Sequence, residues 1–327
     1  MECDRLALVM RILTGIQPSG APHLGNYFGY FKQNIELLGE EENLLMIADL
    51  HALTTMHDPE KLRQFRQDLS RDFLACGFDP ARGTLFFQSY VPEHAELAWI
   101  LSCVTPMGLL ERAVSYKDKV QQGLEANAGL FSYPILQAAD ILIYDADVVP
   151  IGKDQQQHIE MARDIALKFN NRYGKDLLVA PEPKIAEFAV VPGVDGKKMS
   201  KSYGNTIPIF ADEAVVKKAI MGIVTDSKGV DAPKDPEECI VYKLHALLLD
   251  KADRLALADK YRAGGLGYGD AKKMLYEAFM DYFGGMRERR ASLKDREIFD
   301  VIEEGSKRAR VIASQTMERV RTAVGLR

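Results

Sequence analysis

Short apolar segments alternate with longer helical patterns through the first half of this chain, and that alternation limits the fold more than any other feature. Residues 11–14 read as a strand that runs into a Pro/Gly-rich turn, followed by a helix-like stretch over 26–38. Residues 43–49 and 84–89 are further strand candidates. Between them Asp58-Pro59-Glu60 opens a helix, with Asp58 as N-cap and Pro59 at the first helical position, extending to Ala75 and stopped by Gly77. Helical patterns over 92–103 and 134–143 precede a strand at 147–151, which leads into a helix at 155–169. Repeated strand-then-helix units predict a parallel sheet with right-handed crossovers and helices on its faces, an α/β doubly wound, Rossmann-like architecture.

The pattern changes after that. Residues 181–204 carry Pro and Gly with little periodicity and read as a loop. Beyond Pro208 the chain is helical in pattern, at 213–221, 239–249, 254–261, 272–286 and 297–324, with a glycine-rich turn at 263–269. These 327 residues suffice for one large core and a smaller unit, and the change near 205–208 predicts a catalytic-type α/β domain over 1–206 and an all-helical domain over 207–327. There is no internal repeat and no low-complexity tract.

Composition excludes several classes. Hydrophobic residues make up 47% and charged ones 27%, as in an ordinary globular protein. No apolar run approaches the ~20 residues that span a bilayer, and residues 1–10 lack the basic head and apolar core of a signal peptide, so no membrane association and a cytoplasmic location are expected. Cys3, Cys76, Cys103 and Cys239 are far apart and the six histidines show no ligand spacing, so no protein-bound metal is expected. The net charge of −5 argues weakly against nucleic acid, yet residues 287–327 hold eleven Lys/Arg against seven Asp/Glu, a surplus of four. That stretch suits phosphate, or equally a solvated mixed-charge face. Trp99, the sole tryptophan, sits in an apolar helix and is expected in core or dimer packing.

Two strings carry chemistry. Gly15-Ile16-Gln17-Pro18-Ser19-Gly20-Ala21-Pro22-His23-Leu24-Gly25-Asn26 lies between the first strand and the first helix. In an open α/β sheet that is where helix N-termini offer free N–H groups to an anion, and small residues let the backbone approach it. His23 and Asn26, three apart, can share one helical face. Alone, this is slightly better explained by an ordinary βα turn with glycines. The second string is Lys197-Lys198-Met199-Ser200-Lys201-Ser202, in a glycine-flanked loop. Lysines at 198 and 201 with serines between them suit a mobile clamp on a polyphosphate.

Together, His23-Leu24-Gly25-Asn26 and Lys198-Met199-Ser200-Lys201-Ser202 resemble the paired signatures of class I aminoacyl-tRNA synthetases. Other segments resemble the bacterial tryptophanyl-tRNA synthetases: Gly15–Gly20, Val91-Pro92-Glu93-His94-Ala95, Tyr133-Pro134-Ile135-Leu136-Gln137-Ala138-Ala139-Asp140, Asp154-Gln155-Gln156-Gln157-His158, and Val224-Thr225-Asp226-Ser227. The resemblance implies an ATP site at Gln17, Pro18, Ser19, Gly25, Asn26, Gly152, Lys153, Asp154, Lys198, Met199, Ser200, Lys201 and Ser202. It places pyrophosphate near Lys117 and Lys119, and catalytic contacts at His23, Asn26, Lys198 and Lys201. For the tryptophan site it implies Asp140 as acceptor of the indole N–H, with Gln137, Tyr133, Gln155, Leu13, Val149, Ile151 and His51. It further implies Mg²⁺ accompanying ATP, tRNA(Trp) as partner bound through the helical domain, a last helix packing back on the catalytic domain, and a homodimer.

Against the bacterial pattern, Gln137 replaces a usual methionine, Leu13 an aromatic, Leu50 a glutamine, Lys153 an acid, and Tyr203 an acid. Glutamine at 137 also resembles tyrosine-specific relatives, which leaves a tyrosine–tRNA ligase as the alternative. An amino-acid-binding regulatory paralogue without charging activity is the alternative of another class.

Overall fold

The computed structural model describes residues 10–39, 42–112, 127–151, 155–185 and 190–327, the last three residues of the 182–185 strand and Ile151 by backbone alone. At its centre is a five-stranded parallel sheet in the order β3-β2-β1-β4-β5: β1 Arg11–Ile16, β2 Glu42–Ile47, β3 Thr84–Phe87, β4 Val148–Ile151 and β5 Glu182–Ile185. β1 and β2 pair from Arg11↔Glu42 to Ile16↔Ile47. The α/β reading therefore holds. The chain moves outward from β1 through β2 to β3, then returns to the other side of β1 for β4 and β5. The order reverses between β1 and β4, and a crevice opens at the carboxyl ends of two strands whose connections diverge there.

Side-chain alternation along these strands feeds two cores. Leu13, Leu44, Met46 and Phe86 face the helices Glu93–Ser102, Ala128–Leu142 and Gln156–Tyr173. Leu45, Ile47, Leu85 and Phe87 face Pro59–Ala75 and the helical region beyond Pro208. The final helix, Asp295–Val324, takes part in both, through Ile298 and Ile302 on one side and Ala309, Ile312, Ala313, Met317 and Val320 on the other. It crosses the β3 edge at Gly305, where an added Cβ would lie 2.0 Å from the Leu85 carbonyl oxygen. Only glycine permits that approach.

Local chemistry sets several boundaries. The Asp58 carboxylate accepts from the amides of Glu60 and Lys61, and Pro59 follows at the first helical position. Gly325 ends the last helix in the left-handed conformation, with φ of 82°. The structure also departs from the pattern-based expectation. The loop over 181–204 contains β5, an edge strand with Pro183 inside it. The first helix begins at Leu24, and Tyr27–Phe31 forms a π-helical turn within it. The helix carrying Asp140 begins at Ala128, capped by Asn127, six residues before Pro134. Trp99 is 73% exposed, so it is no part of this chain's core. A helix has outer as well as inner positions, and composition alone does not tell them apart.

Candidate active site

β1 ends at Ile16 and the chain turns over residues 17–22 into the helix at Leu24, at the switch point of the sheet. His23 caps that helix: its Nδ1 accepts the Asn26 amide at 3.2 Å, and the Asn26 Oδ1 accepts the His23 amide at 3.2 Å. The reciprocal pair fixes both side chains. Because Nδ1 is an acceptor, the imidazole proton sits on Nε2. Burial, and after it the Lys201 ammonium, bring the His23 pKa down to about 4. His23 is therefore a neutral hydrogen-bond donor at neutral pH, not a cation. The Asn26 amide N–H₂ is the second donor this turn leaves for a ligand.

The lysine–serine loop lies directly on this turn. Lys201 Nζ donates to the carbonyls of Ser19 (3.0 Å) and Gly20 (2.9 Å), and Met199, 4% exposed, has its sulfur 3.3 Å from the Gly25 amide. A Cβ on Gly25 would stand 3.0 Å from His23 Nδ1 and 3.3 Å from the Met199 Cβ, so the glycine keeps the two strings in contact. Burial lowers the Lys201 pKa, against the opposing pull of Asp72. The loop's own frame is Asn205. Its Oδ1 accepts from the Ser200 amide at 2.8 Å, and its amide donates to Asp195 (2.7 Å) and to the Lys198 carbonyl (3.1 Å). Lys198 and Ser202 are exposed, as are Gln17 and Ser19 on the facing turn, while Pro18 is buried. The loop is joined below to the helical region by the Val224 amide, which donates to the Val194 carbonyl at 2.8 Å.

A second constellation is buried beneath the helix Ala128–Leu142. Asp140 is 2% exposed and its carboxylate is surrounded by donors: His51 Nε2 is 2.8 Å from Oδ2, while Gln88 Nε2 (2.7 Å) and His94 Nδ1 (2.6 Å) reach Oδ1. Burial alone would raise its pKa; hydrogen bonds from His51 and then His94 outweigh that and hold it at about 2. Gln88, in the 3-10 turn after β3, also accepts from the amides of Leu50 and His51, fastening the short helix Asp49–Ala52 to this carboxylate. Asp49 in turn accepts from the Ser89 amide and hydroxyl and pairs with Arg66 at 2.9 Å. His94 Nε2 lies 2.7 Å from the Tyr144 hydroxyl.

Of the other expected site residues, Tyr133 is buried with its hydroxyl 2.8 Å from His158 Nε2, and its ring meets His51 edge-on at 6.2 Å. Leu13 and Val149 are buried, and Gln137 is half-buried one helical turn before Asp140. Gln155 stands at the residue before the helix Gln156–Tyr173, with no side-chain cap to it. Lys117, Lys119, Gly152, Lys153, Asp154 and the Ile151 side chain lie outside the described residues. Sequence reasoning did not assign roles to Gln88, His94 and Tyr144, although His94 stands in the Val91–Ala95 string. Among the described residues no group of three or more His, Cys, Asp or Glu is placed to hold a metal ion, and no helix is long and apolar enough to cross a membrane.

A parallel sheet whose switch point carries a histidine–glycine turn, clasped by a lysine–serine loop from the end of the α/β region, defines a class I aminoacyl-tRNA synthetase. The family "tRNA synthetases class I (W and Y)" matches residues 8–284. A tryptophan–tRNA ligase of Fusobacterium nucleatum is 50% identical over 97% of this chain and 98% of its own length, and one from Rhodopirellula baltica is 47% identical over 97% and 100%. The crystal structure of the Campylobacter jejuni tryptophanyl-tRNA synthetase complexed with ADP and tryptophan superposes with a TM-score of 0.93 at 48% identity, covering 97% of this chain and all of that one. The chain belongs to the class I tRNA synthetases for tryptophan and tyrosine, in the branch of the bacterial tryptophanyl-tRNA synthetases.

Proposed function

We propose that this protein activates L-tryptophan with ATP to tryptophanyl-adenylate and transfers it to tRNA(Trp). The observation that carries the reading is Asp140: a buried carboxylate held ionised by donors from His51, Gln88 and His94. Indole N–H is a donor with no acceptor capacity, and a fixed carboxylate is its natural reader. The amino-acid carboxylate attacks the α-phosphorus of ATP in line, the bond to the bridging oxygen breaks, and pyrophosphate leaves with that electron pair. The nucleophile is already ionised, so no general base is needed. The terminal ribose hydroxyl of tRNA then attacks the adenylate carbonyl, releasing AMP.

In this reaction the protein positions its substrates and meets phosphate charge. Neutral His23, through Nε2, and the Asn26 amide donate to phosphate oxygens. Lys201 and Lys198 supply mobile cations from the loop, with Met199, Ser200 and Ser202 shaping it. Gln17, Pro18, Ser19 and Gly25 form the nucleotide's floor. Gly152, Lys153 and Asp154 hold ribose and adenine, and Lys117 and Lys119 meet pyrophosphate. Leu13, Val149 and Ile151 line the indole, with His51 and Gln137 beside it, while Tyr133 and Gln155 hold the ammonium group. The donors at the crevice are ammonium, amide and imidazole N–H groups, which fit a triphosphate and not a bare divalent cation, so Mg²⁺ enters as the nucleotide's own counter-ion. Residues 1–206 form the catalytic domain and 207–327 the domain that holds the anticodon stem. The exposed Trp99 and Met107, 73% and 59% accessible, support a homodimer. The composition supports action in the cytoplasm.

Amino-acid-dependent ATP–pyrophosphate exchange tests the reading. Exchange with tryptophan is expected. Exchange with tyrosine alone would reassign the substrate, a possibility motivated by Gln137, and none with any amino acid would favour a binding paralogue.

A further inference from the structure

We propose that His94, braced by Tyr144, is a positioning residue for amino-acid selection: it holds Asp140 so that a single acceptor direction on Oδ2 is left for the substrate. This rests on the reading of Asp140 as the group that receives the indole N–H. A carboxylate has two oxygens with two lone pairs each. Both on Oδ1 are occupied, by Gln88 Nε2 at 2.7 Å and His94 Nδ1 at 2.6 Å, and one on Oδ2 by His51 Nε2 at 2.8 Å. One remains.

The hydrogen-bond directions follow. Oδ1 can only accept, so His94 Nδ1 carries the proton. In the neutral imidazole Nε2 is then the acceptor, 2.7 Å from the Tyr144 hydroxyl, which donates to it. Burial, and then the charges of Asp140 and Glu93, push the Tyr144 pKa well up, which keeps that hydroxyl protonated. Every polar atom in the chain from Tyr144 through His94 to Asp140 is satisfied by one tautomer. Packing locks the geometry. Both rings are fully buried, Phe86 meets Tyr144 edge-on at 5.6 Å, and His94 and Tyr144 lie 5.3 Å apart. Without the Nδ1 donor the carboxylate could rotate about its Cβ–Cγ bond, and a second lone pair would open to the pocket. Rotation misplaces the acceptor for an indole, whose N–H is rigidly held in a ring.

Discrimination between tryptophan and L-β-(benzothiophen-3-yl)alanine, its isostere with sulfur in place of N–H, reads this directly. The measurement is the ratio of kcat/KM for the two amino acids in pyrophosphate exchange, in which a general loss of active protein cancels. The side-chain amide nitrogen of asparagine superposes on Nδ1 of histidine, and that of glutamine on Nε2. His94→Leu and His94→Gln are therefore expected to lower the preference for tryptophan about tenfold, the worth of one charge-assisted hydrogen bond. His94→Asn should keep it to within about threefold, and Tyr144→Phe should fall between. The rise should appear in KM for tryptophan more than in kcat. Should His94→Leu fail to fold, the Asn and Gln variants decide alone. Equal ratios for wild type, Asn and Gln would overturn the proposal, and so would an Asn variant as impaired as Gln. A wild-type protein that does not distinguish the two amino acids would instead overturn the reading of Asp140 itself.

Discussion

Replacing Asp72 with asparagine should make the protein less sensitive to pH, and in a direction that surface intuition would not suggest. Asp72 lies on the helix Pro59–Ala75, is 1% exposed, and receives Arg290 Nε at 2.6 Å; Arg290 Nη2 also reaches Asp68 at 3.1 Å. The pair ties the helical region to the catalytic core. Burial pushes the Asp72 carboxyl up to about 6 from 3.8, although Arg290 and Arg71 pull it down and Asp68 adds to the rise. The desolvation cost of the carboxylate exceeds the attraction that repays it. Its folded pKa lies above its unfolded one, so the contribution to stability is fully present below pH about 4 and is lost as pH rises through 6. A shift of about two units corresponds to roughly 3 kcal/mol across that window. Asparagine keeps a carbonyl acceptor for Arg290 and cannot ionise. Urea unfolding of wild type and Asp72→Asn at several values between pH 4.5 and 7.5 should show the variant gaining on wild type by most of that amount. Arg290→Met should do the opposite: with the cation gone it should cost about 3–5 kcal/mol at pH 7.5, and less at pH 5, where Asp72 can take up a proton. A difference between wild type and Asp72→Asn that is flat with pH, or that shrinks as pH rises, would refute the reasoning.

Lys201→Ala should lower kcat for pyrophosphate exchange roughly 10–100-fold with little change in tryptophan KM, because its charge meets phosphate as the charge moves; a KM effect alone would contradict a clamp. Gly305→Ala should destabilise by more than about 2 kcal/mol in equilibrium denaturation, since its Cβ would sit 2.0 Å from the Leu85 carbonyl and backbone must move, and an unchanged denaturation midpoint would show that the helix is free to shift. Charge reversal at the exposed Arg289 should weaken tRNA binding and reduce its salt dependence by about one counterion. The same change at Arg287, whose guanidinium donates to the carbonyls of Ile209 and Ala211 at 2.7 Å each, should appear first as lost stability.

What could be read from the sequence was whatever is local. Asp58-Pro59 announces a helix start because the cap and the missing proline N–H act within one turn. The two signature strings are recognisable because each is a short run of unusual residues. β5 escaped because an edge strand tolerates Pro183 and need not look apolar. Arg287 and Arg290 counted as part of a basic excess, yet both are engaged inside the protein across 76 to 222 residues of chain. The His94–Asp140 contact spans 46 residues and the Gln88–Asp140 contact 52. No periodicity encodes such pairings. The string around His94 was visible, but a histidine beside apolar residues signals burial, and only the fold says which carboxylate it faces.

Asp72 and Asp140 make the point physically. Both are buried aspartates on helices of the same α/β region, 1% and 2% exposed, and in both burial is the largest influence, opposing the charged form. Their protonation diverges because of what surrounds each oxygen. Asp140 takes donors from two imidazoles and an amide spread over both oxygens, and the hydrogen bonds and charges of His51 and His94 hold it ionised at about 2. Asp72 takes one guanidinium nitrogen on one oxygen, shares that guanidinium with Asp68, and ends near 6. Donors spread over both oxygens thus hold one buried carboxylate ionised, where a single shared guanidinium does not offset the burial of the other. The carboxylate proposed to read a ligand is the one given imidazoles and an amide. The one that joins two parts of the fold is left close enough to neutrality that a single proton can relieve it.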